Sequence, residues 1–124
     1  MSYYKTWQAK GSNKYHAIKK TVNGLKYDSQ KEANKSVELD YLQKAKEIKS
    51  WTRQVKEELK AENGTIVGKY YCDFLITHND GTLEYLEVKS KATATPIWKW
   101  KWKMLQDKYK YQMKIGEVKM TVEY

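Results

Sequence analysis

This sequence has little cysteine, proline or arginine, each of which occurs once among its 124 residues. The single cysteine, Cys72, excludes an internal disulfide and also excludes zinc sites built from paired cysteines. No apolar run is long enough to cross a membrane, and the first residues lack the apolar stretch of a signal peptide. We therefore expect a protein of the reducing cytoplasm that has no membrane partner.

Lysine is what the sequence has in excess, and it is concentrated towards two parts of the chain. The formal net charge is +9; residues 1–20 carry five lysines and no acid, and residues 89–114 carry eight lysines against Asp107 alone. Such charge favours a polyanionic partner, although it also suits an anionic membrane or a merely solvated surface. Because lysine contacts phosphate as a point charge whereas arginine reads guanine edges, the composition favours contact with the DNA backbone over sequence reading.

The length suits one domain, and the first half of the chain contains two clear local signals. Residues 1–14 predict a basic N-terminal arm, and residues 15–124 predict the folded domain. Asn23-Gly24 is a hairpin turn signal inside residues 15–27. Helical spacing predicts a first helix that ends near residues 46–49. Its core-facing side is predicted to contain Ala33, Val37, Tyr41, Ala45 and Ile48, and is widened by Leu39 and Leu42.

The second half of the chain alternates between strand and helix patterns. Strands are predicted over residues 51–59, 70–77, 83–89 and 114–124, and Pro96 fits the first turn of a helix. The predicted order is therefore hairpin, helix, strand, hairpin, helix, strand. That order predicts a single-domain α/β fold with a mixed central sheet flanked by helices.

The register of the second hairpin decides which charged residues meet. A two-residue loop would place Asp73 opposite Val88, whereas a three-residue loop with left-handed Gly81 places it opposite Glu87. The second register is expected, because it collects one apolar face and leaves Asp73, Glu87 and Lys89 together on the other. The apolar face is predicted to contain Cys72, Phe74, Ile76, Leu86 and Val88.

Two carboxylates opposed in this way are a natural site for a hard divalent cation. Their side chains repel each other when unliganded, and bound Mg²⁺ removes that repulsion and provides metal-assisted hydrolysis. Lys89 then reaches the attacking water or the scissile phosphate. For any one of the three residues, an ordinary charged strand surface is the preferred explanation, but that explanation accounts less readily for the combination of all three.

Asp73, followed by Glu87-Val88-Lys89 after a tight turn, resembles motifs II and III of the PD-(D/E)XK nuclease superfamily. Glu32, in a helix before the hairpin, resembles that superfamily's first acidic motif, while Cys72 stands where the superfamily's name has proline. The segment 24–33 further resembles small phage-encoded members of the superfamily, and the resemblance extends over about residues 15–123.

The resemblance implies a restriction-endonuclease-like core that cleaves DNA with Mg²⁺ or Mn²⁺. By this resemblance Asp73, Glu87 and Glu32 are metal ligands, Lys89 is catalytic, and the enzyme acts as a homodimer in the cytoplasm of the phage's host. Glu32 has a second explanation, because Ser29 and Glu32 have the spacing of a capping box. A non-catalytic DNA-binding protein or adaptor on the same fold is the alternative function.

The segment 98–103 alternates tryptophan with lysine. Trp98 and Trp102 share a stripe with Leu105 and Tyr109, which predicts that they are core residues. Trp100 lies off this stripe and is expected to face a partner, since exposed aromatics among lysines can stack on bases. The residues expected to contact nucleic acid are Lys99, Lys103, Lys91, His16 and Trp100.

Overall fold

A computed structural model describes the backbone of residues 20–22 and 25–27 and the whole of residues 29–124. The predicted arm, the start of the predicted domain at residue 15, and His16 all lie outside the described residues. The chain divides into two compact units, one ending at Glu38 and the other comprising Leu39–Tyr124.

The N-terminal unit contains a small antiparallel hairpin and the beginning of a helix. Strands β1 (Lys20–Val22) and β2 (Leu25–Tyr27) pair with Val22 opposite Leu25, as the Asn-Gly signal predicts. Helix α1 (Gln30–Lys44) follows. Ser29 Oγ accepts a 3.1 Å hydrogen bond from the backbone N–H of Glu32, which confirms the serine half of the predicted capping box.

The C-terminus of α1 is a Schellman turn centred on Lys46. The N–H of Lys46 donates to Gln43 O, the N–H of Glu47 donates to Leu42 O, and Lys46 takes the left-handed conformation with a φ of 63°. The helix therefore ends at Lys44, slightly before the predicted position.

The predicted core face of α1 is wrong in part. Ala33, Leu39 and Ile48 are buried, but Val37, Tyr41 and Ala45 are exposed. The buried side also contains Glu32, Lys35 and Ser36. Steps of four residues advance by more than one turn, so the chosen stripe drifts around the helix. Because the buried face of α1 contains these polar residues, hydrophobic periodicity could not identify it correctly.

The second unit contains a four-stranded mixed sheet whose strands have the spatial order β3-β4-β5-β6. Pairs β3–β4 and β4–β5 are antiparallel, and β5–β6 is parallel. The α/β fold with a mixed sheet flanked by helices is confirmed, with one short helix added to the predicted order. The elements are β3 (Ser50–Lys60), β4 (Ile66–Thr77), β5 (Leu83–Val88), α2 (Pro96–Lys108), α3 (Lys110–Lys114) and β6 (Val118–Glu123).

The β4–β5 loop contains the three residues Asn79, Asp80 and Gly81. Thr77 pairs with Leu83, and the N–H of His78 donates to Thr82 O. Gly81 has a φ of 91°, which only glycine adopts without strain. The predicted loop is therefore confirmed. Within the described chain, no helix has the length and apolar character needed to cross a bilayer.

The main apolar cluster lies beneath α2, where Trp98, Trp102 and Leu105 are buried as predicted. Cys72 also belongs to this cluster, and Leu75 packs against it. Residues three apart on a regular strand point to opposite faces, so the alternation of β4 is broken between them. The prediction that Cys72 shares the face of Phe74 is therefore wrong. Across from this break, Gln54 of β3 has a φ of 53°.

Candidate active site

The β4–β5 register brings the two predicted acids together. Phe74 pairs with Leu86, and continuing this antiparallel register by one residue places Asp73 opposite Glu87. Asp73 Oδ2 accepts a 2.9 Å hydrogen bond from the backbone N–H of Val88. This bond fixes the Asp73 carboxylate at the C-terminal end of β5, towards which the break in β4 turns its side chain.

Glu87 carries a carboxyl group that is almost completely removed from water, with 1% of the residue's surface exposed. Burial, and then the nearby charge of Asp73, raise the pKa of Glu87 from 4.5 to about 8, although Tyr70 and Lys89 act in the opposite direction. At neutral pH Glu87 therefore retains its proton, which takes the place of its negative charge. The pair has the electrostatic character of a site that a cation would complete.

Two aromatic residues that the sequence analysis did not nominate hold Glu87 in place. Tyr70 Oη donates a hydrogen bond to Glu87 Oε1, and Trp98 Nε1 donates to Tyr70 Oη at 2.7 Å. The chain of bonds links β5, β4 and α2. Strand alternation did not predict this role of Tyr70. Its side chain points towards α2 only because the alternation of β4 is broken.

Lys89 lies beside the acids as predicted. Its Nζ is 3.8 Å from Glu87 Oε2 and 5.0 Å from the centre of the Trp98 ring. The backbone N–H of Lys89 donates to Glu123 O, so pairing with β6 fixes its main chain. The ammonium is thus held against one acid and one aromatic face, mostly shielded from solvent.

A cavity of about 290 Å³ gives access to these side chains. Asp73, Glu87 and Lys89 line it on the strand side, and Lys101 lines it on the side of α2. The N-terminus of α2 also meets the cavity, since the capping residue Thr95 is part of its wall. The other residues in the wall are Tyr70, Tyr71, Thr93, Ile97 and Trp98.

The lysines nominated on α2 are displaced from the cavity by part of a helical turn. Lys99 and Lys103 are exposed and do not belong to the cavity wall, where Lys101 stands instead. Both flanks of the Trp98–Trp102 stripe carry lysine, and the sequence pattern did not distinguish them. Lys101 lies one turn from Ile97, on the flank that faces the acids. Lys91 and Trp100 are exposed.

The donor set suits magnesium more than a metal that needs a complete protein cage. Within the described residues, no group of three or more histidine, cysteine or acidic side chains is arranged to hold a metal ion. Mg²⁺ in proteins is often held by one or two carboxylates, with water and substrate phosphate as the other ligands. Asp73 and Glu87 are the two carboxylates that would serve in this way. Glu32 is buried in the N-terminal unit.

A second polar cluster fastens the other end of α2 to β3. Lys108 Nζ donates to Glu57 Oε1 at 2.7 Å, Tyr109 Oη donates to the same oxygen at 2.9 Å, and Tyr85 Oη donates to Glu57 Oε2 at 2.8 Å. Burial alone would raise the pKa of Glu57, but these bonds outweigh it and lower the pKa. The cluster fixes the orientation of α2, and with it the position of Trp98.

The family model described as "Protein of unknown function (DUF1064)" matches residues 12–123. The chain therefore belongs to the DUF1064 family. A search of the curated proteins gave no match, and neither did a search of the solved structures.

Proposed function

We propose that this protein is a metal-dependent endodeoxyribonuclease of the PD-(D/E)XK superfamily, similar to its small phage-encoded members and with their restriction-endonuclease-like core. One observation carries the proposal. Asp73 and Glu87 meet on adjacent strands in the wall of a cavity, and Lys89 lies 3.8 Å from Glu87 Oε2. Glu87 does not belong to a simple surface ion-pair pattern, because its side chain is buried and its pKa is raised.

Asp73 and Glu87 would hold Mg²⁺ or Mn²⁺, with Glu32 as the further acid that the superfamily resemblance suggests. When bound, the metal supplies a Lewis acid that acidifies water and neutralises a phosphate oxygen. In the hydrolysis, the water oxygen forms a bond to phosphorus, one P–O ester bond breaks, and the departing sugar oxygen takes up a proton. Lys89 orients the water and stabilises charge on the phosphate.

The cavity wall suits a phosphodiester. Lys101 supplies a positive charge opposite the acids, and Thr93 and Thr95 supply hydroxyl groups. The positive end of the α2 dipole adds to this field. Action in a host cytoplasm on branched or otherwise structured DNA fits the scarcity of arginine, the residue whose fork reads bases and which occurs once in the sequence. A homodimer would provide two active sites and cut both strands.

A second candidate function is a non-catalytic DNA-binding protein or adaptor. The hydrogen-bond chain from Trp98 through Tyr70 to Glu87 favours it, because a buried protonated acid can serve the fold alone. On that proposal, Asp73 and Glu87 need no metal, and exposed lysines bind the DNA backbone.

The deciding experiment is cleavage of labelled duplex, single-stranded, flap and four-way-junction DNA with Mg²⁺ or Mn²⁺. Wild type, Lys89→Ala, Asp73→Asn and an EDTA control are compared, with Lys119→Ala as an exposed strand lysine away from the cavity. We expect metal-dependent cleavage that falls at least ~100-fold in Lys89→Ala and Asp73→Asn but not in Lys119→Ala. Salt-sensitive binding with no cleavage of any substrate would contradict the nuclease proposal and favour the binding protein.

A further inference from the structure

An exposed apolar pair lies on α2 at the edge of the cavity. Ile97 is 69% exposed and Trp100 is 62% exposed. Residues three apart on a helix are surface neighbours, with Cβ atoms about 5–6 Å apart. Ile97 also lines the cavity that contains Asp73 and Glu87. The indole of Trp100 is therefore exposed about one helical turn from Ile97, at the edge of the proposed active site.

The Trp100 indole is not needed to fill the apolar core or to pack α2 against the sheet. The cluster beneath α2 is filled by Trp98, Trp102 and Leu105, which are buried on the other side of the helix. Exposing a large aromatic ring to water is unfavourable, and a partner that covers it gains the free energy of burial. Trp100 is thus the residue of the Trp-Lys segment that remains for a function outside the fold.

The surroundings of Trp100 are cationic. Lys99 and Lys101 are its neighbours along the chain, and Lys101 is in the cavity wall. Lys103 follows one turn later, where it also pairs with Asp107 at 3.6 Å. An aromatic face among lysines matches a nucleic-acid strand, whose bases stack on aromatics while its phosphates meet ammonium groups.

We propose that Ile97 and Trp100 form a stacking platform for an unpaired base of DNA, and that DNA with a single-stranded segment at the cleavage position is the substrate class. This inference rests on the proposed nuclease function. In a paired duplex, each base face is covered by its neighbours, so only an unstacked base offers a face to Trp100. The adjacent phosphate of the same strand would then lie against Lys101 at the cavity.

A second copy of the chain fits this surface less well. A two-fold contact through the platform would place Lys99 and Lys101 of one copy against the same residues of the other. The chain carries a net charge of +9, so such a contact adds like-charge repulsion in both copies. A DNA strand instead brings negative charge to the same lysines.

The test measures binding without metal, by fluorescence anisotropy in EDTA. The probes are a labelled single-stranded oligonucleotide, the same strand with abasic sites at its centre, and the matching blunt duplex. The proteins are wild type, Trp100→Ala, Trp100→Phe and Tyr111→Ala; Tyr111 is an exposed aromatic outside the cavity wall. Because Trp100 is exposed, its variants should fold, which circular dichroism checks.

We expect Trp100→Ala to weaken single-strand binding roughly 5- to 150-fold, with Trp100→Phe close to wild type and Tyr111→Ala unchanged. The abasic strand should bind wild type weakly and show little further loss in Trp100→Ala. The duplex should be insensitive to Trp100.

Equal single-strand binding by wild type and Trp100→Ala overturns the platform, whatever the cleavage assay gives. So does a concentration-dependent dimer that Trp100→Ala abolishes in sedimentation, since the surface would then be a contact between copies. Trp100-dependent binding of single strands without metal-dependent cleavage of any substrate would contradict the nuclease proposal and leave the platform standing. The two failures are thus distinguishable.

Discussion

The phenol of Tyr70 donates a hydrogen bond to the carboxyl group of Glu87, which lies 17 residues further along the chain. Burial, and then the charge of Glu87, raise the pKa of Tyr70, so the phenol stays protonated and remains a donor at neutral pH. Trp98 supports the phenol from α2. One of the proposed metal ligands is therefore held by its own strand, the neighbouring strand and a helix.

Tyr70→Phe should lower the proposed nuclease activity, although the phenylalanine ring keeps the shape of the tyrosine ring. The variant removes the donor to Glu87 and leaves Trp98 Nε1 without its acceptor. We expect a loss of ~10- to 100-fold in Mg²⁺-dependent cleavage, as for other groups that orient metal ligands. The free energy of unfolding should also fall by about 1–3 kcal/mol in urea titrations. Tyr71→Phe, at a more exposed position in the cavity wall, is the matched control. An equal loss of cleavage activity in Tyr71→Phe would show that the effect does not come from the hydrogen bond between Tyr70 and Glu87.

Glu87→Gln should stabilise the metal-free protein at neutral pH. The folded-state pKa of Glu87 is about 8 against an ordinary value of 4.5, so the folded protein binds a proton that the unfolded chain releases between these values. The contribution of Glu87 to the free energy of unfolding is fully present below pH 4.5. It declines by up to ~1.4 kcal/mol per pH unit as pH rises towards 8. Thermal unfolding in EDTA across this range measures it. The decline should disappear in Glu87→Gln and remain in Glu84→Gln.

Lys108→Met should loosen α2 and reduce stability at neutral pH. Its ammonium donates to the buried Glu57, and removing it leaves that carboxylate with only tyrosine donors. We expect a loss of about 1–2 kcal/mol, which is less than for a fully buried pair because Lys108 is partly exposed to solvent. Lys110→Met, on an exposed position of α3, should change little.

The same pair predicts an effect of pH. The folded state lowers the pKa of Glu57, so its contribution is present above the ordinary value of 4.5 and is lost as pH falls through the lowered value. Denaturant titrations of wild type and Lys108→Met should therefore converge in acid. Curves that stay parallel at all pH values would contradict this role for the ion pair.

Lys46→Gly should raise stability by about 1 kcal/mol. Lys46 occupies the left-handed position of the Schellman turn with a φ of 63°, where a β-carbon is strained and glycine is not. The turn's two backbone hydrogen bonds are unaffected by the substitution. A rise in melting temperature is the measurement, and Lys44→Gly, inside α1, should lower it. A fall in both variants would show that the turn is not strained.

The central hairpin could be predicted because its information is local. The glycine of the loop, the alternation of β5 and the need to bury Leu86 and Val88 together exclude the slipped register. That register alone placed Asp73 opposite Glu87. The helix stripe of Trp98, Trp102 and Leu105 could be predicted for the same reason, since its apolar spacing is regular.

Other parts depended on tertiary structure that no local pattern shows. The left-handed Gln54 and the broken alternation of β4 turn Tyr70 and Cys72 towards α2, so strand periodicity assigned Cys72 to the wrong face. Lys101 stands in the cavity wall because of the rotation of α2, which is fixed in part by the bond from Lys108 to Glu57, a residue of β3 that is far away in sequence. The nuclease function and its metal remain predictions that the proposed assays test.

Cys72 is fully buried and adjoins Asp73, and it is the one thiol of the sequence. Burial raises the pKa of its thiol, which further slows reaction with alkylating reagents. Modification therefore requires β4 to open, and its rate in the native protein reports how often that opening occurs. The rate of labelling at this one sulfur, followed by mass spectrometry, would thus show whether Mg²⁺ or DNA tightens the proposed active site, without any engineered probe.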